Sequence, residues 1–559
     1  MFRRFLSISL SCPFVAALAI FGSGPLRADE PTADGNPSAV LTDGDHVRDL
    51  QMQAAESNRA VWGHWGPSST KYSNWTNHSN RLIPVYTFGI GLDSWRDAGS
   101  PYRDAARLEA LYGQVPKKTL NASAEYFDQT QIYELQRHAI DTGKKRIIVF
   151  VFDGMDWQTT RAATIHKTQT VGYESGRGSG LAFQDYRGAK TDFAWVVTSP
   201  WSTKLKGDVN SQRLKAGDRK SNGGYFAKLG GDDGSQHLAE NRYLIGQDKQ
   251  LPHGVTDSAA SATSLFAGVK TFNGAIGVDH NGDHVESIAK SLQRDRGWSI
   301  GLVTSVPLSH ATPASAYANN ITRKDYQDIA RDLLGIPSVS HRRHPLPGVD
   351  VLIGGGAGQT KTEDKYQGEN FEIGNPYVSL PDLEQVRHSA ENPEGKYIVA
   401  MRTEGKSGAS VLRDAAQRAV AGNKRLLGLF GVGGGHLPFQ TADGGFDPVQ
   451  DIRDPDQYSD ADISENPSLA DMTSAALKVL SQNERGFWLM VEPGDVDWAN
   501  HANNLDNSIG AVFSGEAAFQ TVIRWVESHG GWDETAVIVT ADHGHYLVIS
   551  DPAALVTPR

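Results

Sequence analysis

Residues 146–155 read RIIVFVFDGM. Ile147 to Phe152 is an unbroken apolar run, rich in β-branched and aromatic side chains, and Asp153 and Gly154 follow at once. A strand buried on both faces has this composition, and parallel sheets are built from such strands. Similar runs recur at 300–304, 349–353, 426–430, 486–491 and 535–540, with helix-like stretches between them at 285–294, 408–420 and 469–482. The alternation predicts an α/β domain over 146–559, with a mostly parallel central sheet flanked by helices. In such a sheet, ligands gather beyond the carboxyl ends of the strands. The polar residues just after each apolar run are therefore the ones that carry chemistry.

The rest of the chain frames that domain. Residues 1–28 have the pattern of a cleaved secretory signal: Arg3 and Arg4, an apolar stretch densest from Phe14 to Phe21, then Leu26-Arg27-Ala28. The apolar stretch is too short to predict a stable membrane span. Residues 29–145 read as an N-terminal extension, a flexible lead followed by an ordered, aromatic-rich cap that includes Trp62, Trp65, Tyr72, Trp75, Tyr86 and Tyr102. Residues 166–250 interrupt the strand–helix pattern with Gly, Lys, Asp and Ser and read as a surface insertion. The formal net charge is −11 and no long basic run is present, which argues against nucleic-acid binding. The single cysteine, Cys12, falls inside the signal, so any metal must be held by histidine and carboxylate ligands.

Several strand ends stand out. Asp153 suits a metal ligand at the sheet edge, although an Asp there also serves as a helix N-cap. Ser258, in the run VTDSAASAT over 255–263, starts a helix whose free N–H groups favour a phosphate; an ordinary N-cap serine reads the same way. No histidine adjoins Ser258 in the sequence, so a metal is the more natural activator of its hydroxyl. Asp497 and His501, four apart after the 486–491 run, share one face of a helix and can grip one ion, an oxygen–nitrogen pair that suits zinc. Asp542-His543 follows the last strand and is joined by His545. Carboxylates at three strand ends, two with a histidine nearby, make a multi-metal site the stronger reading. The run Val351 to Gly356 lacks the Lys-Ser/Thr ending of a phosphate loop and reads as a tight turn.

Together these segments resemble the alkaline phosphatase family. The likeness is densest over 255–277, VTDSAASATSLFAGVKTFNGAIG, continues through His310-Ala-Thr312-Pro-Ala and Arg323, and keeps the same order of segments across about 146–547. The resemblance implies a phosphoric monoester hydrolase with two Zn2+ ions and one Mg2+. Ser258 is then the residue that becomes phosphorylated, Arg323 the guanidinium that clasps two phosphate oxygens, and Asp257 its support. Asp497 and His501 match ligands of the first zinc. Asp542 and His543 match ligands of the second, which also holds Ser258, and Asp153 bridges toward the magnesium held by Thr312 and Glu492. His545 matches a histidine that supports a zinc-bound carboxylate.

The chain departs from the family pattern in places. His310 and Trp498 stand beside the magnesium and phosphate, where some members have Asp and Lys. The first zinc normally takes a further histidine from well downstream, yet only 16 residues follow His543. Either another residue or water completes that site, or the zinc binds weakly; His436 is a candidate, although a local role in its loop suits it better. The alternatives are a related metal-dependent phosphodiesterase, or a non-catalytic metal- or phosphate-binding homologue without a full first zinc site. The resemblance also implies small phosphate monoesters as substrates, a homodimer, and a periplasmic or extracellular location.

Overall fold

The computed structural model describes residues 45–92, 99–201, 205–215, 223–225, 254–446 and 457–558. The expected signal and most of the lead after it lie outside the described residues. Ten strands form the central sheet, in chain order β1 (Ile83–Phe88), β2 (Phe127–Asp128), β3 (Arg146–Val151), β4 (Thr191–Val197), β5 (Ser299–Pro307), β6 (Val351–Gly355), β7 (Tyr397–Met401), β8 (Arg425–Leu429), β9 (Phe487–Glu492) and β10 (Thr535–Thr540). Their spatial order is β7-β8-β6-β5-β9-β3-β10-β1-β4-β2. From β7 to β10 every neighbouring pair is parallel, as the alternation of apolar runs and helices predicts. The centre of the sheet is buried on both faces, which is why these strands carry Val, Ile, Leu and Phe without alternation.

Two stretches that the sequence reading set outside the sheet contribute to it. Strand β1, from the N-terminal extension, pairs antiparallel with β10, Ile538 facing Thr87. Strand β4, inside the presumed insertion, pairs antiparallel with β1 over its whole length. The extension is also tied in elsewhere. Gly63–Trp65 pairs antiparallel with Leu547–Ile549, and His46 Nε2 bonds to the carbonyl of Ala554 at 2.8 Å. Gln136, on the helix Thr130–Asp141, donates to the Leu265 carbonyl and accepts from Trp488 Nε1. Through these contacts the described residues between 46 and 141 pack with the central sheet. The physical reason that they read as separate in the sequence is that short-range patterning does not reveal which distant segment fills the place beside β10.

A second apolar cluster, of Tyr102, Tyr112, Tyr126, Trp195, Trp201 and Tyr225, lies under this part of the chain. It encloses a buried ion pair, Lys270 Nζ to Asp128 Oδ2 at 2.9 Å, and Asp128 also accepts from the Tyr102 hydroxyl at 2.7 Å. No helix among the described residues is long and apolar enough to cross a membrane.

Candidate metal centre

Four adjacent strands deliver the site. Asp153 follows β3, Asp542 and His543 follow β10, Glu492 ends β9, and Thr312 lies on the helix Ala311–Tyr317 that follows β5. Because β5, β9, β3 and β10 are neighbours and parallel, their carboxyl ends are side by side. Asp497 and His501 sit on the helix Asp495–His501 that leaves β9, four residues apart as the sequence spacing predicts. Gly154 holds φ at +74°, and a Cβ there would come within 2.9 Å of His545 Nε2. Only glycine lets the backbone pass this close to the histidine cluster.

Ser258 opens the helix Ser258–Ala267, with Asp257 as its N-cap accepting from Ala260 N at 3.0 Å. The Ser258 hydroxyl is buried, 3.2 Å from His543 Nε2 and 3.5 Å from Asp153 Oδ1. Arg323 donates through one guanidinium nitrogen to Asp257 Oδ2 at 3.1 Å. Asp257 thus caps the serine's helix and anchors the arginine at once.

Two groups have ligand atoms close enough together to hold a metal ion: His78, Asp497, His543 and His545 in one, Asp153, Asp542 and His543 in the other. His78 is the residue that sequence reasoning missed. Its Nε2 lies 3.0 Å from His501 Nε2 and 3.5 Å from Asp497 Oδ1. The weak signal for it was a polar stretch, Thr76-Asn77-His78, just ahead of the apolar β1. His436 takes the local role instead, its Nδ1 on the Leu437 carbonyl and its ring stacked on Phe439. His310 lies outside both groups. It lines the cavity beside Arg323, stacks on Tyr326, and is kept neutral, its pKa pushed down to about 3 by burial and by the arginine's charge.

The donor set fits cations. His78 Nδ1 faces the Thr256 carbonyl at 2.9 Å and His501 Nδ1 faces the Thr76 carbonyl. A carbonyl only accepts, so both protons sit on Nδ1 and both Nε2 atoms present lone pairs to the same space. His545 does the opposite: its Nε2 meets Asp497 Oδ1 at 2.7 Å, an imidazole N–H supporting a carboxylate. Glu492 Oε1 and Asp542 Oδ2 are buried acceptors with no hydrogen-bond donor. Burial first, then the charges of Asp497 and Asp542, push Asp153 well above the usual carboxylate range. Burial also raises Glu492, to about 8, although the hydroxyls of Thr304 and Thr312 offset part of it. Burial opposes ionisation of Asp497 too, yet its carboxyl is held well below the usual range, with the His545 N–H donating to it. Crowded carboxylates and converging lone pairs of this kind are what bound cations relieve.

The family model described as alkaline phosphatase matches residues 228–554. Among curated relatives, alkaline phosphatase 3 of Bacillus subtilis (strain 168) is 30% identical over 319 residues, 56% of this chain and 55% of that protein. The alkaline phosphatase of Escherichia coli (strain K12) is 32% identical over 327 residues, 56% of this chain and 62% of its own length. The chain thus spans between half and two thirds of the length of these relatives. Among solved structures, the alkaline phosphatase of Thermus thermophilus aligns over 72% of this chain and 60% of its own at 23% identity, with a TM-score of 0.43. Asp153 and His78 both precede the span that the family model covers, yet the fold brings them to the residues inside it. With the family model covering more than half of its residues, the chain belongs to the alkaline phosphatase family.

Proposed function

We propose that this chain hydrolyses phosphate monoesters through a phosphoserine on Ser258, with metal ions in the centre described above. One observation carries the reading. A buried serine hydroxyl at a helix N-terminus lies within 3.5 Å of His543 and Asp153, at the meeting point of the two ligand groups. A helix N-terminus favours an anion, and the paired Asp257 and Arg323 supply a positioned guanidinium beside it.

His78, Asp497 and His501 would hold one zinc ion. Asp542 and His543 would hold a second, together with Ser258, and Asp153 would bridge toward a magnesium ion held by Thr312 and Glu492. Bound there, such ions would neutralise the phosphate and lower the pKa of the hydroxyl and of the water that attack it. Ser258 Oγ attacks phosphorus, the Oγ–P bond forming as the ester P–O bond breaks, and the alcohol leaves with a proton. Water then breaks the Oγ–P bond, releases inorganic phosphate and restores the hydroxyl. Arg323 clasps two non-bridging oxygens throughout, its fork held by Asp257. His545 keeps Asp497 ionised and oriented. His78 offers a further histidine at the first site, which favours the catalytic reading over a non-catalytic one. The signal-like pattern of residues 1–28 supports a reaction outside the cytoplasm.

The test is turnover of a chromogenic monoester and diester by the purified protein supplied with zinc and magnesium, with acid trapping of labelled phosphate on the chain. Monoester turnover should dominate, label should appear on Ser258, and Ser258→Ala should lose at least about 1000-fold in kcat. Faster diester turnover, or an undiminished Ser258→Ala enzyme, would overturn the assignment.

A further inference from the structure

The cavity above the site is about 720 Å³ and is walled on one side by rings. They form a continuous path. Tyr326 stacks on His310 with centroids 5.8 Å apart and planes 8° from parallel, and His310 meets Trp498 at 5.6 Å. Trp498 meets His436 at 5.2 Å and Phe439 at 6.0 Å, and His436 reaches Tyr458 at 6.2 Å. His310 lies beside Arg323, so the path begins at the phosphate clamp and leads away from it. Tyr326, Trp498 and Tyr458 are only partly buried and each belongs to the lining, so part of each residue is open to the cavity. The hydroxyl of Tyr458 accepts from Phe439 N at 3.1 Å, which fixes the outer end of the wall.

We infer that this wall selects phosphate monoesters whose alcohol carries a planar aromatic ring. The inference rests on the phosphomonoesterase reading. A small ester with no ring leaves the wall unused, and a cavity of this size is in the range that encloses a whole small-molecule ligand. Stacking of a flat ring on aromatic side chains needs no particular hydrogen-bond pattern, so the wall is tolerant of ring identity. A stack made equally in the ground and transition states lowers KM and leaves kcat unchanged.

The test compares a nucleoside 5′-monophosphate with glycerol 3-phosphate. Both release a primary alcohol, so leaving-group chemistry is matched and the ring is the main difference. A phenolic phosphate forms a third arm, with its ring directly on the ester oxygen. We expect kcat/KM for the nucleoside ester to exceed that for glycerol phosphate by about 10-fold or more, mostly through KM. Tyr458→Leu and Phe439→Leu should each reduce that ratio about 5-fold, while Tyr458→Phe, which keeps the ring, should preserve it. Equal kcat/KM for the two primary esters, or a ratio unmoved by both leucine variants, would overturn the inference while leaving the phosphatase assignment standing. Turnover of none of the three esters would overturn both.

Discussion

His78 Nε2 and His501 Nε2 face each other at 3.0 Å, both as lone-pair donors. Their Nδ1 protons are committed to the carbonyls of Thr256 and Thr76, and burial lowers the pKa of His501 further. Two imidazoles whose Nε2 atoms both lack a proton cannot hydrogen-bond to each other in this arrangement. A cation between them and Asp497 would turn a repulsion into coordination.

His78→Ala should therefore remove one tightly held zinc ion per chain and lower kcat/KM for a monoester by at least about 100-fold. Metal analysis of the purified variant after gel filtration is the direct measurement. Chelation of the parent protein should lower its thermal midpoint more than chelation of the variant, because part of the binding free energy stabilises the native state. Full zinc occupancy in His78→Ala would assign the first site to other residues.

The contrast between His78 and the remaining ligands shows what a sequence can reveal here. Asp153, Asp497, Asp542 and His543 each follow an apolar run that announces a buried strand, so a parallel sheet by itself brings them to one edge. Ser258 lies in a run of small residues that can only start a tight helix. His78 is 423 residues from His501, and it precedes a strand that contains Pro84, a residue that argues against a place inside a sheet. Strand β1 is nevertheless paired on both sides, and just ahead of it His78 pairs antiparallel with His545, which carries it to the site. Strand β4 was hidden for a similar reason, by the polar and glycine-rich residues around it. Local composition predicts strands; it does not say which distant strand completes a sheet edge.

Arg323 offers a second test. Its guanidinium is paired with Asp257, so a lysine would keep the charge and lose the fork. Arg323→Lys should lower kcat/KM for a monoester about 10- to 100-fold and lower that for a diester less, narrowing the preference between them. Parallel kinetics on the two chromogenic esters would show it. An equal loss on both esters would mean that the arginine sets structure rather than substrate choice.

Gly154→Ala tests the close approach under the cluster. The new methyl would meet His545 Cδ2 at 2.8 Å at a backbone φ of +74°. Left-handed backbone costs a non-glycine residue about 1–2 kcal/mol, and the ring would also have to move. Moving His545 loosens its 2.7 Å bond to Asp497, so zinc affinity should fall about 10- to 100-fold. Competition against a fluorescent chelator reads the affinity, and denaturant unfolding reads the stability. Unchanged values in both would show that His545 can shift without cost.

Asp325 provides a test of pH dependence remote from the metal ligands. It is buried, its Oδ2 accepts from Asn320 Nδ2 at 2.9 Å, and its Oδ1 has no hydrogen-bond donor. Burial first, then the charges of Asp328 and Asp332, push its pKa up to about 8, against partial relief from Asn320 and Arg331. A carboxyl whose folded pKa is raised binds more protons in the native state than in the unfolded one between the two values. Its stabilising share is therefore complete below about pH 4 and is lost as the pH climbs to about 8. Asp325→Asn keeps the size and the potential cap but cannot ionise. The stability of the parent relative to this variant should fall across that window by up to about 1.4 kcal/mol per pH unit. Urea unfolding of both proteins at intervals from pH 4.5 to 8 measures the difference, and the subtraction removes every other titrating group. A flat difference would place Asp325 among ordinary ionised carboxylates and would require an unseen donor on its Oδ1.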